Sequence, residues 1–269
     1  MLAEMVDFFI GLELFQGIEW WVLLALAATH ALGCFIRGAF GFGSNVPIVV
    51  LSAFLLPPHH AILLALMTTI AAQIQLIPAG IRTADWQVTK PLMAGLMMGT
   101  GLGSWLFSIL SPQWLVIILG AVIVFITLMD TIKIIDKMVC FIDLRSKPLA
   151  SLLAGVGGLM GGLSGAGAFY FLVLYLKHAC LTPTSLRGTN VMLATLTMSI
   201  RLISLGALGF LTPTLIFEGL TLWPIALIGT WLGTKAFHKS NPAGFYFALQ
   251  IVLLAGAASL IYKGFQQLG

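Results

Sequence analysis

The chain has 269 residues, of which 59% are hydrophobic and 8% charged, and its mean hydropathy is +1.06. Values this far outside soluble globular usage make lipid the solvent, and at about 20 apolar residues per membrane helix the length holds many spans and little else. The balance of 13 Lys and Arg against 9 Asp and Glu is read as basic cytoplasmic loops and not as nucleic-acid binding, because no basic stripe with interleaved aromatics is present.

The amino-terminal stretch carries Glu4, Asp7, Glu13 and Glu19 without a Lys or Arg, the wrong charge for the n-region of a secretory signal peptide. Residues 1–17 are expected to form a periplasmic segment. Apolar runs between charged or proline-containing breaks then predict segments near 18–36, 42–56, 60–79, 91–109 and 114–132. A second set follows near 149–163, 166–177, 188–206, 215–234 and 245–262. Segments 42–56 and 166–177 are too short to cross about 30 Å of hydrocarbon upright, so they predict half-helices or re-entrant arms. A linker at 133–148 separates a first membrane repeat, 18–132, from a second, 149–264.

The two sets are related by duplication. Gly38-Ala39-Phe40-Gly41-Phe42-Gly43 returns as Gly162-Leu163-Ser164-Gly165-Ala166-Gly167, and Gly99-Thr100-Gly101-Leu102-Gly103-Ser104 returns as Gly229-Thr230-Trp231-Leu232-Gly233-Thr234. Basic residues collect in alternate connections: Arg82 with Lys90, Lys133 to Lys147, Lys177 with Arg187, and Lys235 with Lys239. Five segments per half put every basic connection on the cytoplasmic face and both termini on the other. An odd count also turns the halves over relative to one another. The expected fold is therefore an all-α polytopic membrane protein of two homologous inverted repeats, with helices broken or re-entrant at the glycine-rich motifs. Four segments in each half, giving parallel repeats, is the alternative that the charges disfavour.

Broken apolar segments at matching points of two repeats mark a transporter's substrate site. After Gly41-Phe42-Gly43, Ser44-Asn45-Val46-Pro47 has the form of a helix start, and a helix starting inside a membrane aims unpaired N–H groups and a positive dipole end at its occupant. Ser164 occupies the equivalent break of the second half. Gly95, Gly99 and Gly103, like Gly229 and Gly233, are read as packing surfaces. Arg201 is flanked by apolar residues, and a charge in mid-segment is presumed functional; Arg37 and His30 are the other ionisable residues in or beside a span. Gln73 and Gln75 lie in the third segment, and aligning Thr69 with Thr195 sets Gln75 opposite Arg201. The candidate substrate-binding set is Arg201, Ser44, Asn45, Arg37, Gln75, Gln73, Ser164 and Asn190. Asp85 and Glu218 fall near segment ends, which argues against a carboxylate relay. Cys34, Cys140 and Cys180 have no metal-ligand spacing and read as buried apolar residues. No catalytic residue, metal or cofactor is expected; the partners are a small anion and the bilayer, and a homo-oligomer is left open.

On these glycine motifs the chain resembles the TauE/SafE family of sulfite and organosulfonate exporters, over about 18–264. The resemblance implies a bacterial inner-membrane permease for small, sulfur-containing anions. Two rival readings stand beside it. Gly162-Leu163-Ser164-Gly165 has the Gly-x-Ser-Gly form of rhomboid-type intramembrane serine proteases, a chemistry that needs a base beside the serine. A membrane assembly subunit without transport activity is the other.

Overall fold

The structure, a computed structural model, describes residues 14–15, 17–41, 44–131, 147–165, 172, 175–176 and 179–236. The expected segments 166–177 and 245–262 and the linker fall largely or wholly outside them. Eight helices are formed by the described residues: α1 Trp20–Phe40, α2 Asn45–Leu55, α3 Pro58–Thr83, α4 Trp86–Ile109, α5 Pro112–Thr131, α6 Lys147–Ser164, α7 Pro183–Ala207 and α8 Pro213–Ala236. Four of them begin on a proline, whose missing N–H costs nothing in a first turn. Asp85 caps α4 by accepting from the backbone of Gln87 and Val88, and Thr182 with Ser185 forms a capping box on α7. Five helices (α1, α3, α4, α7 and α8) are long and apolar enough to cross a membrane. The protein is thus an all-α polytopic membrane protein.

Helix α2 has 11 residues, about 16 Å at the α-helical rise of about 1.5 Å per residue, and stops well short of a crossing. It is buried on nearly every side, through Val46, Pro47, Ile48, Val49, Val50, Ser52 and Ala53. Only such enclosure permits helix ends at membrane depth, because lipid cannot satisfy their backbone groups.

Two glycine seams join the halves. Gly95, Gly99 and Gly103 of α4 lie against the backbone of Ser151, Gly155 and Leu159 of α6; in the same way Gly229 and Gly233 of α8 lie against Ala31 and Phe35 of α1. A Cβ at Gly99 or Gly233 would run into a carbonyl oxygen of the facing helix, so backbone proximity holds each seam, as in small-residue membrane packing. Each glycine-lined helix thereby packs, in parallel, on the first helix of the other half. Helices α3 and α7 run antiparallel, with Gln73 bonded to Thr195 and Thr83 beside Gly188.

These contacts define two ends. At one, the Phe15 N–H donates to Glu218 at 3.0 Å, His60 meets Glu218 at 2.6 Å, and His59 packs on Phe107 and Phe210. At the other, the Gly38 carbonyl accepts from Arg187 and Thr234, and Gly188 touches Thr83. The second end also carries Arg82, and Lys235 whose Nζ lies 3.6 Å from the Trp231 ring centroid, a snorkelling arrangement suited to an interface. Cys34 and Cys180 are free and buried; Cys140 lies outside the described residues.

Candidate anion site

Both first helices end on a left-handed glycine. Gly41 (φ 79°) closes α1 with its N–H donating to the Arg37 carbonyl at 2.7 Å, and Gly165 (φ 73°) ends α6 on the Gly161 carbonyl at 2.9 Å. Such φ values favour glycine. A Cβ on Gly165 would also stand 2.9 Å from an Arg201 terminal nitrogen, so that guanidinium lies directly against the second break.

Arg37, one turn before the first break, is 3% exposed. Its Nε and Nη2 donate to Gln73 Oε1 at 3.0 and 2.5 Å, and Nη1 donates to Ser44 Oγ at 2.8 Å and Asn45 Oδ1 at 3.3 Å. Nη2 also approaches Met198 Sδ at 3.6 Å. Gln73 is held in turn by its Nε2, which donates to the Val191 carbonyl at 2.8 Å and Thr195 Oγ1 at 2.6 Å. Asn45 Nδ2 donates to the Gly165 carbonyl at 2.7 Å. One network therefore ties α1, α2, α3, α7 and the second break together. Ser44 stands at the expected start of α2, but its side chain makes no cap bond; the nearby guanidinium captures its hydroxyl, which in turn donates to Asn45 Oδ1 at 2.9 Å.

Arg201 contrasts with Arg37. It is 2% exposed, yet among the described residues its Nε and Nη2 have no hydrogen-bond partner and it forms no ion pair. Burying a charge without a counter-charge costs several kcal/mol, about what breaking a buried pair costs. A guanidinium presents a planar fork of donors that matches an oxyanion with two acceptor oxygens. A small anion lodged at Gly165 would supply the missing partners.

The remaining candidates divide. Gln73 belongs to the network, whereas Gln75 is exposed and does not face Arg201. The alignment on Thr69 compares chain position, while the buried side of α3 follows Thr69, Ala72, Gln73, Leu76 and Gly80, the helical three-to-four spacing that leaves Gln75 on another side. Ser164 is buried beside the break, with its hydroxyl donating to the Met160 carbonyl at 2.6 Å. Asn190 is fully buried on α7, and neither amide atom is bonded among the described residues. His30 binds the Leu26 carbonyl through Nδ1 at 2.8 Å and stays apart from the Arg37 network. Arg187, placed by the sequence in a basic connection, reaches the Gly38 carbonyl at 2.6 Å and stitches α7 to the end of α1.

Sequence reasoning missed Thr195, Met198 and the carbonyls of Val191 and Gly165. The signal was present in part, since Val191, Thr195 and Met198 follow the i, i+4, i+7 spacing of one helix face. Glu218, placed near a segment end by the sequence, is 3% exposed and held by His60 and the Phe15 backbone.

In comparisons with curated proteins and with solved structures, nothing matches this chain. The family model of the sulfite exporter TauE/SafE matches residues 23–260, which take in both breaks, both arginines and both glycine seams. The chain belongs to the sulfite exporter TauE/SafE family of membrane transporters.

Proposed function

We propose that this protein exports small, sulfur-containing oxyanions such as sulfite or organosulfonates across a bacterial inner membrane by alternating access, with Arg201 as the main contact for the anion. The observation that carries this reading is the buried Arg201 guanidinium, which lies against the Gly165 break with Nε and Nη2 unpartnered among the described residues. Arg37, Gln73, Ser44 and Asn45 brace the same break, through the bond from Asn45 to the Gly165 carbonyl. Their bonds fix the start of α2, whose positive dipole end adds to the potential that favours an anion.

The halves act as inverted repeats. Support comes from the antiparallel course of α3 and α7, which match in the duplication, and from the exchange of glycine seams between halves. In this arrangement the end with Arg82, Arg187 and Lys235 is cytoplasmic. Residues 1–17 and the carboxyl terminus then face the periplasm, and the 133–148 linker faces the cytoplasm. Rocking of one half on the other would expose the Arg201 site alternately to each side.

An anion leaving a negatively charged cytoplasm is driven outward by about 2.3 kcal/mol per charge for each 100 mV, so no coupled ion is required. Vesicles containing the purified protein test this under a potassium diffusion potential, with and without a pH gradient. Flux of sulfite or methanesulfonate that follows the potential supports the reading. Flux that follows the proton gradient alone overturns the uncoupled mechanism, and absence of flux for every such anion overturns the substrate class.

A further inference from the structure

Asn190, Thr197 and Arg201 occupy positions i, i+7 and i+11 of α7, which places them within about 20° of one line along the helix at about 100° per residue. All three are buried, at 0%, 4% and 2% exposure. Polar atoms without a partner among the described residues stand at both ends of the line: Oδ1 and Nδ2 of Asn190, and Nε and Nη2 of Arg201. Between them, the Thr197 hydroxyl donates to the Leu193 carbonyl at 3.1 Å and keeps its acceptor positions for another group. The small side chain of Ala194 borders the line.

A primary amide offers two donors and two acceptor positions, and a buried amide without partners costs more than the apolar residue that could replace it. Packing alone therefore gives no reason for an asparagine here. The line also has direction. Arg201 lies beside the break at Gly165, while Asn190 lies one turn from Arg187, whose guanidinium reaches the Gly38 carbonyl at the basic end of the bundle. Eleven residues of helix span about 16 Å, roughly half the hydrocarbon thickness.

We infer that Asn190 is a second polar station for the anion, and that the buried face of α7 from Asn190 through Thr197 to Arg201 is the track between the Arg201 site and the basic end of the bundle. The amide N–H₂ donates to the passing anion, and its carbonyl orients the water that travels with it. This rests on the reading of Arg201 as the anion contact. The first half has no such line, since the same spacing on α3 under the Thr69–Thr195 alignment brings Leu64, Ala71 and Gln75.

The test uses the full chain in nanodiscs, with Cys34, Cys140 and Cys180 replaced by alanine and Asn190→Cys introduced. Modification rates are measured with an anionic and a cationic methanethiosulfonate of similar size, each normalised to its rate with a small free thiol. Position 190 should prefer the anionic reagent by about tenfold or more, the scale on which a charge-lined cleft focuses an ion. Adding Arg201→Gln should cut that preference several-fold. Leu193→Cys, in the apolar core beside the line, should stay unmodified.

No reaction at position 190, equal normalised rates, or a preference indifferent to Arg201→Gln would overturn the track. A preserved preference in a protein that moves no sulfur oxyanion would instead point to a failure of the substrate reading, with the track intact. Should the cysteine variant not assemble, Asn190→Ser and Asn190→Leu carry the test through anion flux. Serine should hold flux within about threefold and leucine should lower it by about tenfold, since only serine still offers a hydrogen bond. Full flux with leucine would reduce Asn190 to the seat of a structural water and overturn the proposal.

Discussion

Arg37 and Arg201 are both buried beside a glycine that breaks a membrane helix, yet their surroundings are opposite. Arg37 is bonded to Gln73, Ser44 and Asn45, whereas Arg201 has two nitrogens without partners among the described residues. The difference separates two uses of one side chain. A guanidinium whose donors are filled by protein organises the protein, whereas the Arg201 guanidinium keeps donors that a proposed anion would fill. The backbone supports the division, because Asn45 of the Arg37 network bonds the Gly165 carbonyl and so braces the break against which Arg201 lies.

The largest expected effect is on transport. Arg201→Ala should lower anion flux by about 100-fold, since truncating one partner of a buried charged contact costs about 2–5 kcal/mol. Lys should recover part of it, lacking the bidentate fork. Full flux from the alanine variant would make Arg201 a packing residue and erase the contrast.

Stability should move in opposite directions at the two sites. In anion-free detergent, Arg201→Met should raise the unfolding free energy by about 1–4 kcal/mol, because it removes an uncompensated buried charge. Arg37→Met should lower it by about 1.5–3 kcal/mol, because Gln73 and Asn45 lose a charged donor. Thermal unfolding of the two variants side by side reads both signs, and equal signs would show that the arginines are equivalent.

At Gly165, alanine meets a φ of 73° and the Arg201 guanidinium together, and should cost about 1–3 kcal/mol with a weakened anion affinity. Stability and affinity unchanged by Gly165→Ala would show that the guanidinium does not depend on this break. The smallest effects separate the two glutamines of α3. Gln73→Leu should destabilise by about 1–3 kcal/mol by stranding Arg37, while Gln75→Leu should stay within about 0.5 kcal/mol. Denaturation in the same detergent checks the pair.

Much of the scaffold was legible because lipid imposes it. Length of apolar run is set by bilayer thickness, so the sequence placed the cores of the described helices, and the short run after Gly43 became the 11-residue α2. The seam glycines were legible for the same reason, as close packing leaves a three-to-four spacing of small residues. The site was legible only by residue type. Arg37 and Arg201 look alike in a sequence, and which of them is satisfied depends on Gln73 and Ser44 meeting Arg37 from other helices. Gln75 was misplaced because aligning two repeats carries no information about helix face. Glu218 sits only five residues into α8, and its burial comes from His60 and Phe15 folding over it, which chain position cannot reveal.

Arg201 is proposed to hold an oxyanion through the Nε and Nη2 donors that lack partners among the described residues. Purified wild-type protein and Arg201→Met, titrated with sulfite, sulfate, thiosulfate, methanesulfonate and small carboxylates while thermal unfolding is followed, test it most directly. A bound anion at 100 times its dissociation constant adds about 2.7 kcal/mol to stability. At least one sulfur oxyanion should stabilise the wild type saturably and leave Arg201→Met unchanged. Equal stabilisation of the two proteins, or none of the wild type by any of these anions, would contradict it.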